Sequence, residues 1–260
     1  MKECKTHMCF IVVKLKTLLK SMFAAILVVF MLLCLEPSLE IYASYTKRLL
    51  PVYCVDSQEK VVCLTFDAAW GSDKTSGILQ ILQKHQIKAT FFLVGFWVDK
   101  NIDLTKEIFA QGHQIGSHSN THPDMTKLSK NQIEEELDES CKKICSATGQ
   151  EKVDVFRPPF GAYNNQLIMQ CQNKNLQAIQ WNIDTLDWKG ISANQICANV
   201  FKKLCPGSII LCHNNSDNIL QALEPLILGL KSRGYKFETV GNLLIKNDFR
   251  IDNTGKQIKI

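Results

Sequence analysis

His118 and His122, four residues apart in Ser117-His118-Ser119-Asn120-Thr121-His122-Pro123, are the side chains best suited to share a metal ion in this chain. Imidazoles at this spacing reach one ion from a helical turn or from a loop that folds back. A divalent ion on nitrogen ligands, with positions left open, polarises a carbonyl and lowers the pKa of a bound water, the chemistry of hydrolysis. Other ionisable residues stand directly after apolar runs. Asp67 follows residues 61–66, Arg157 follows 153–156, Asp184 and Asp187 follow 177–183, and His213 follows 208–212. Taken singly, each has an ordinary explanation as a helix cap, a surface ion pair or a satisfied loop histidine.

The apolar runs decide how these residues are read. Residues 61–66, 89–94, 114–116, 153–156, 177–183, 208–212 and 235–240 carry the β-branched or apolar character of strands. Between them, 75–85, 104–111, 166–174 and 220–233 show helical stripes, the last closed by Gly234. Ser129 with Gln132, and Ser192 with Gln195, make capping boxes for helices reaching about 148 and 204. The acidic run Glu134, Glu135, Glu136, Asp138 and Glu139 reads as a solvated helix face. Strands alternating with helices imply a parallel sheet, open and doubly wound or closed as a barrel. In either, ligands bind at the carboxyl ends of the strands. The groups named above then share one rim.

On that rim Asp67 is placed to take a proton from water, with Arg157 holding it ionised. His213, supported by Asp187, is suited to protonate a leaving nitrogen or oxygen. Backbone N–H groups beside Phe160 are candidate oxyanion donors, and Trp70, Tyr163 and Trp188 suit stacking on sugar faces. The reaction class is metal-assisted hydrolysis of an amide or ester.

Charge and targeting set limits on partners. The chain has 260 residues and a net charge of +5, but residues 1–20 hold five lysines against one acid. The remainder is close to neutral, which argues against nucleic acid as a partner. Residues 22–35 are uncharged and apolar, short for a membrane span and suited to a secretory signal, with a cleavage site at Ala43; an uncleaved anchor is the competing reading. Either way the body is expected outside the cytoplasmic membrane, touching it only through this segment. Residues 1–43 are assigned to targeting, 44–59 to a lead-in, 60–245 to one catalytic domain, and 246–260 to a polar, loosely ordered tail. A monomer is expected. Eight of the eleven cysteines lie in the body without a Cys-x-x-Cys pair, which argues against zinc ribbons and thioredoxin-type redox; Cys141 and Cys145 lie one turn apart and could meet, though nothing in the sequence requires a disulfide.

Five motifs in order resemble the polysaccharide deacetylase family, the NodB-homology domain of carbohydrate esterase family four. They are Thr65-Phe66-Asp67, His118-Ser119-Asn120-Thr121-His122, Arg157-Pro158-Pro159-Phe160-Gly161-Ala162-Tyr163, Asp184-Thr185-Leu186-Asp187-Trp188 and Leu211-Cys212-His213. The resemblance implies a distorted (β/α) barrel, removal of acetyl groups from N-acetylated sugars, and zinc or a similar ion such as cobalt on His118 and His122. It implies Asp67 as base, Arg157 as its partner, His213 as acid tuned by Asp187, and Leu211 in the acetyl pocket. Phe160, Tyr163 and Trp188 are the further substrate-binding candidates. Phe66-Asp67-Ala68-Ala69-Trp70-Gly71 is similar to the sporulation-associated, PdaB-like branch, which favours peptidoglycan as the polymer. One position departs from the pattern. The family's second adjacent aspartate, a metal ligand, is Ala68 here. Asp73 as a substitute ligand, Asp67 as ligand and base together, and a weakly active or inactive glycan-binding homologue are the open readings. An amidase acting on a non-glycan substrate is a further one.

Overall fold

Residues 61–68 of the sheet's central strand are all buried, which is why that stretch carries β-branched and apolar residues on both faces. The computed structural model describes residues 17–32 and 48–260. The chain divides between Arg48 and Leu49. In the N-terminal unit, residues 17–32 form helix α1, whose large apolar side chains are exposed. Among the described residues no helix is long and apolar enough to cross a membrane. The expected cleavage site and the rest of the targeting segment lie outside the described residues.

In the second unit the strands are β1 (Cys54–Val55), β2 (Val61–Ala68), β3 (Thr90–Leu93), β4 (Gln114–Ser117), β5 (Val155–Phe156), β6 (Gln177–Ala178), β7 (Ile183–Asp184), β8 (Ser208–His213), β9 (Lys236–Phe237), β10 (Phe249–Ile251) and β11 (Lys256–Lys259). The helices are α2 (Thr75–Lys84), α3 (Gly95–Lys100), α4 (Ile102–Ala110), α5 (Lys130–Thr148), α6 (Asn165–Asn173), α7 (Ala193–Lys203), α8 (Ile219–Ser232) and α9 (Val240–Leu243). The central order β8-β2-β3-β4-β5-β6 is parallel throughout. Val52 bridges Ile179 beyond β6, and β1 then pairs with β8, so the sheet curls round on itself. This is the distorted (β/α) barrel expected from the sequence.

Side-chain alternation sorts the strands into two cores. Val62, Leu64, Phe66 and Ala68 of β2 pack between sheet and helices, while Cys63 faces a smaller core inside the curl. The same split separates Phe91 and Leu93 from Phe92, and Ile210 and Cys212 from Ile209. Gly116 faces the crowded interior: a Cβ there would come within 2.8 Å of the Phe92 ring and of Val155. Continuing the inward alternation past the strand ends delivers Asp67, His118, Arg157 and His213 to one place.

Several boundaries differ from the sequence expectation. The single strand at 177–183 is two short ones, because Gln180 turns to pair with Val52 and the Asn182 side chain serves Ile209 N–H and the Ser208 hydroxyl. The strand at 235–240 shortens to β9, since Thr239 caps α9. Helix α3 has no counterpart in the sequence reading. The tail is not loose: β10 and β11 form a hairpin, and β11 pairs with β1. Gln257 is buried there, its side-chain amide bonding both the N–H and the carbonyl of Ile245.

Candidate active site

Asp67 ends the inward face of β2, and Arg157 follows β5 across the curl. The Arg157 guanidinium is fully buried. Its Nη1 donates to Asp67 Oδ1 at 2.6 Å and to the Thr65 hydroxyl at 2.8 Å, and Nη2 donates to the Gln180 carbonyl at 3.1 Å. The group also lies 4.1 Å over the Phe92 ring. Burial alone would raise the Asp67 carboxyl; Arg157, then His118 and His213, outweigh it and hold the pKa below the ordinary carboxylate value. Asp67 is therefore held ionised and oriented.

His118 follows β4, and His122 returns to it by a loop. The rings stand 4.9 Å apart, edge to face. His118 Nδ1 donates to the Arg157 carbonyl at 2.7 Å, which leaves Nε2 with a lone pair, 3.6 Å from Asp67 Oδ2. Burial lowers the pKa of both imidazoles, that of His122 to about 4, so both are neutral at pH 7. The loop is built for this. Ser119 and His122 both take positive φ, at 69° and 60°, a backbone that costs of order 1–3 kcal/mol per residue and is stored at functional sites. The Ser119 hydroxyl accepts from the His122 N–H. The Glu136 carboxylate of α5 accepts from the N–H groups of Asn120 and Thr121, both at 2.8 Å, and from the Thr121 hydroxyl. The N–H groups of Gly95 and Phe96 hold the Ser119 and Asn120 carbonyls. A Cβ at Gly95 would displace the Asn120 side chain and press on the Asn120 backbone at 3.1 Å.

His213 ends β8. Its Nδ1 donates to Asp187 Oδ1 at 2.7 Å, and its backbone N–H donates to Asp187 Oδ2 at 2.8 Å. Burial opposes charge on the ring, but the hydrogen bond to Asp187 and the charges of Asp187, Asp67 and Asp184 prevail and raise its pKa above 6.5. His213 is thus held protonated to higher pH than a free imidazole.

These groups open into a cleft of about 650 Å³. Leu211 lines its floor, and Trp70, Phe160 and Trp188 stand exposed around it. Tyr163 does not reach the cleft; its hydroxyl bonds that of Tyr53 and its ring packs on the core. Trp181, Asn215, Ser216 and Asp217 also line the cleft and were not singled out from the sequence. Glu136 was read as solvated; its spacing from the histidine loop carries no local signal, because the contact joins two elements. All eight body cysteines are free.

His118, with its far nitrogen tied to a carbonyl, has the arrangement usual in metal-bound histidine, and neutral imidazoles suit zinc or cobalt. His122 Nδ1 is buried without a hydrogen-bond partner. The residues fit a divalent ion held through two imidazoles. No three His, Cys, Asp or Glu side chains among the described residues are grouped closely enough to hold one. Ala68 is fully buried in the layer with Leu64 and Phe66. Asp73 is turned to solvent, its side chain 74% exposed and 4.0 Å from Lys74. Nor does Asp73 cap α2, whose N-cap is Lys74 with no side-chain bond.

A barrel whose strand ends present two carboxylate-paired groups beside a histidine pair defines a hydrolase-type site, and comparison with known proteins agrees. A family profile for polysaccharide deacetylase matches residues 55–179. The chain is 38% identical over 194 residues to the uncharacterized protein YlxY of Bacillus subtilis, covering 75% of this chain and 60% of that protein. It is 31% identical over 202 residues to the peptidoglycan-N-acetylmuramic acid deacetylase PdaA of the same organism, covering 76% of this chain and 77% of that one. Among solved structures, wild-type BA3943 of Bacillus anthracis, described as a CE4 family pseudoenzyme, matches with a TM-score of 0.72 at 36% identity over 76% of this chain and 70% of its own. A BA3943 mutant described as having restored enzymatic activity matches with a TM-score of 0.72 at 38% identity, over 75% and 71%. The chain belongs to the polysaccharide deacetylase family.

Proposed function

We propose that this chain is a metal-dependent hydrolase that removes acetyl groups from N-acetylated sugars of peptidoglycan. The observation that carries the reading is the pair of opposed dyads, Arg157–Asp67 and Asp187–His213, each bonded at 2.7 Å or less beside the two neutral imidazoles. A pure binding module has no use for a base and an acid with oppositely shifted pKa values.

Asp67 accepts the proton of a water that attacks the acetamide carbonyl, and Arg157 keeps Asp67 ionised while this happens. His118 and His122 would hold a divalent ion, which when bound would polarise that carbonyl and acidify the water. The N–H groups of Gly161 and Ala162 are spent on Pro158 and Pro159 carbonyls, which leaves the Phe160 N–H as the donor on this turn for the developing oxyanion. His213 delivers its proton to the leaving nitrogen, and Asp187 stabilises the imidazolium until it does. Leu211 gives the acetyl methyl an apolar wall, and Trp188 presents an exposed ring to a sugar face. Export, with the lysine-rich apolar segment as signal or anchor, would place the domain beside its polymer.

Acetate release from peptidoglycan and from chitin oligomers, with and without added zinc or cobalt, tests the reading; no acetate with any metal defeats it. A second reading rests on Ala68 and on the missing third ligand: a wall-glycan-binding homologue with little turnover, as the pseudoenzyme likeness suggests. It predicts glycan binding without acetate.

A further inference from the structure

Histidines that bind metals normally fix their orientation by donating the ring's other N–H to a carboxylate, carbonyl or water. His118 does so through the Arg157 carbonyl. His122 has no such partner on another residue: its Nδ1 is buried without one, and only the residue's own backbone comes near the ring. Three rings surround it instead, all edge to face. Phe160 lies at 4.6 Å and 75°, Trp70 at 4.8 Å and 70°, and His118 at 4.9 Å and 72°, measured between ring centroids and planes.

The backbone beside both outer rings is itself held. The carbonyl after Trp70, that of Gly71, accepts from the buried Trp97 indole N–H at 2.7 Å and from the Asn214 amide at 3.0 Å. Phe160 sits at a positive φ of 60° between Pro159 and Gly161, whose carbonyl takes a 2.8 Å bond from the Gln180 amide. Yet the two side chains are 59% and 69% exposed, so burial does not explain why their backbones are pinned. Aromatic edges and faces attract through the ring quadrupole and fix angle as well as distance.

We infer that Trp70 and Phe160 are positioning residues for His122, an aromatic clamp that orients the second imidazole where the usual hydrogen bond is missing. The inference rests on the reading of His118 and His122 as cation ligands. The clamp compensates in part for the ligand lost at Ala68: with two certain ligands, the orientation of each matters more to affinity.

The test uses the full chain and Co²⁺ alone, without glycan, so that stacking on a sugar plays no part. Affinity is read by competition with a chelator, and ligand geometry by the visible Co²⁺ spectrum. Trp70→Leu and Phe160→Leu, which keep bulk but lose the ring, are expected to weaken binding by about ten- to a hundredfold. Trp70→Phe, which keeps a ring, is expected to stay within about threefold of wild type. Because both rings are largely exposed, the metal-free melting temperature of all three is expected to be unchanged. Leucine variants that bind Co²⁺ like wild type would overturn the inference, as would Trp70→Phe binding as poorly as Trp70→Leu. Absence of Co²⁺ binding by the wild type would sink both the clamp and the metal reading. Absence of acetate release, with the affinity pattern intact, would count against the enzyme reading alone.

Discussion

Arg157 is the residue on which most of the site depends. Its charge has no water to turn to, and its balance comes from Asp67, Thr65, Gln180 and the Phe92 face. Arg157→Ala leaves the Asp67 carboxylate buried without its partner, and is expected to cost about 3–5 kcal/mol in urea unfolding. His213 gives a pH signature. Its folded pKa lies above 6.5, so the stabilisation from its pairing with Asp187 is complete below pH 6.5 and is lost as pH rises through the folded value. Deacetylation that needs the imidazolium declines over the same alkaline range. In Asp187→Asn the charge that favours the proton is gone and burial prevails, so both the NMR titration of the His213 ring and the alkaline limb of activity are expected to move to lower pH. Ala68→Asp places a carboxylate at a fully buried position. The variant is expected to melt lower than wild type without metal and to recover on adding zinc, as read by thermal scans. These residues were legible because each stands where an apolar run ends. Tyr163 packs on the core instead of lining the cleft, and an aromatic ring within a motif looks the same in sequence in either place.

Among the elements, those with local chemistry were legible. Ser129 and Gln132 form the capping box of α5, and Ser192 and Gln195 that of α7, both with reciprocal bonds. The elements that escaped are short and set by distant partners. Helix α3 is six residues long and earns its place by holding the histidine loop. The same holds within α5, where four neighbouring acids conceal the one that matters. Glu136→Ala removes the charged acceptor of two loop N–H groups and a hydroxyl. It is expected to cost about 1.5–3 kcal/mol in urea unfolding and to weaken zinc binding in a chelator competition, whereas Glu135→Ala should do neither. Equal effects at the two positions would mean that the loop does not rely on α5.

At the scale of the whole molecule, the parallel barrel was legible from strand–helix alternation, while its closure was not. The closing contacts involve residues 52–55 and a tail whose polar composition hides two buried residues, Gly255 and Gln257, and two strands. The division between Arg48 and Leu49 predicts that residues 49–260 fold alone, with a single cooperative unfolding transition by circular dichroism. A further cut before Asp248 should broaden or lower that transition, because it strips β1 of one neighbour.

That last pairing has a consequence for how the chain comes to be made. Cys54 meets Lys256 and Ser208, partners that the ribosome supplies only after most of the sequence has been translated. Contacts of such sequence separation are slow to form, since the loop between them must first be closed. The first strand to emerge is therefore among the last to be satisfied. Until synthesis ends, it waits as an open edge that another strand could pair wrongly.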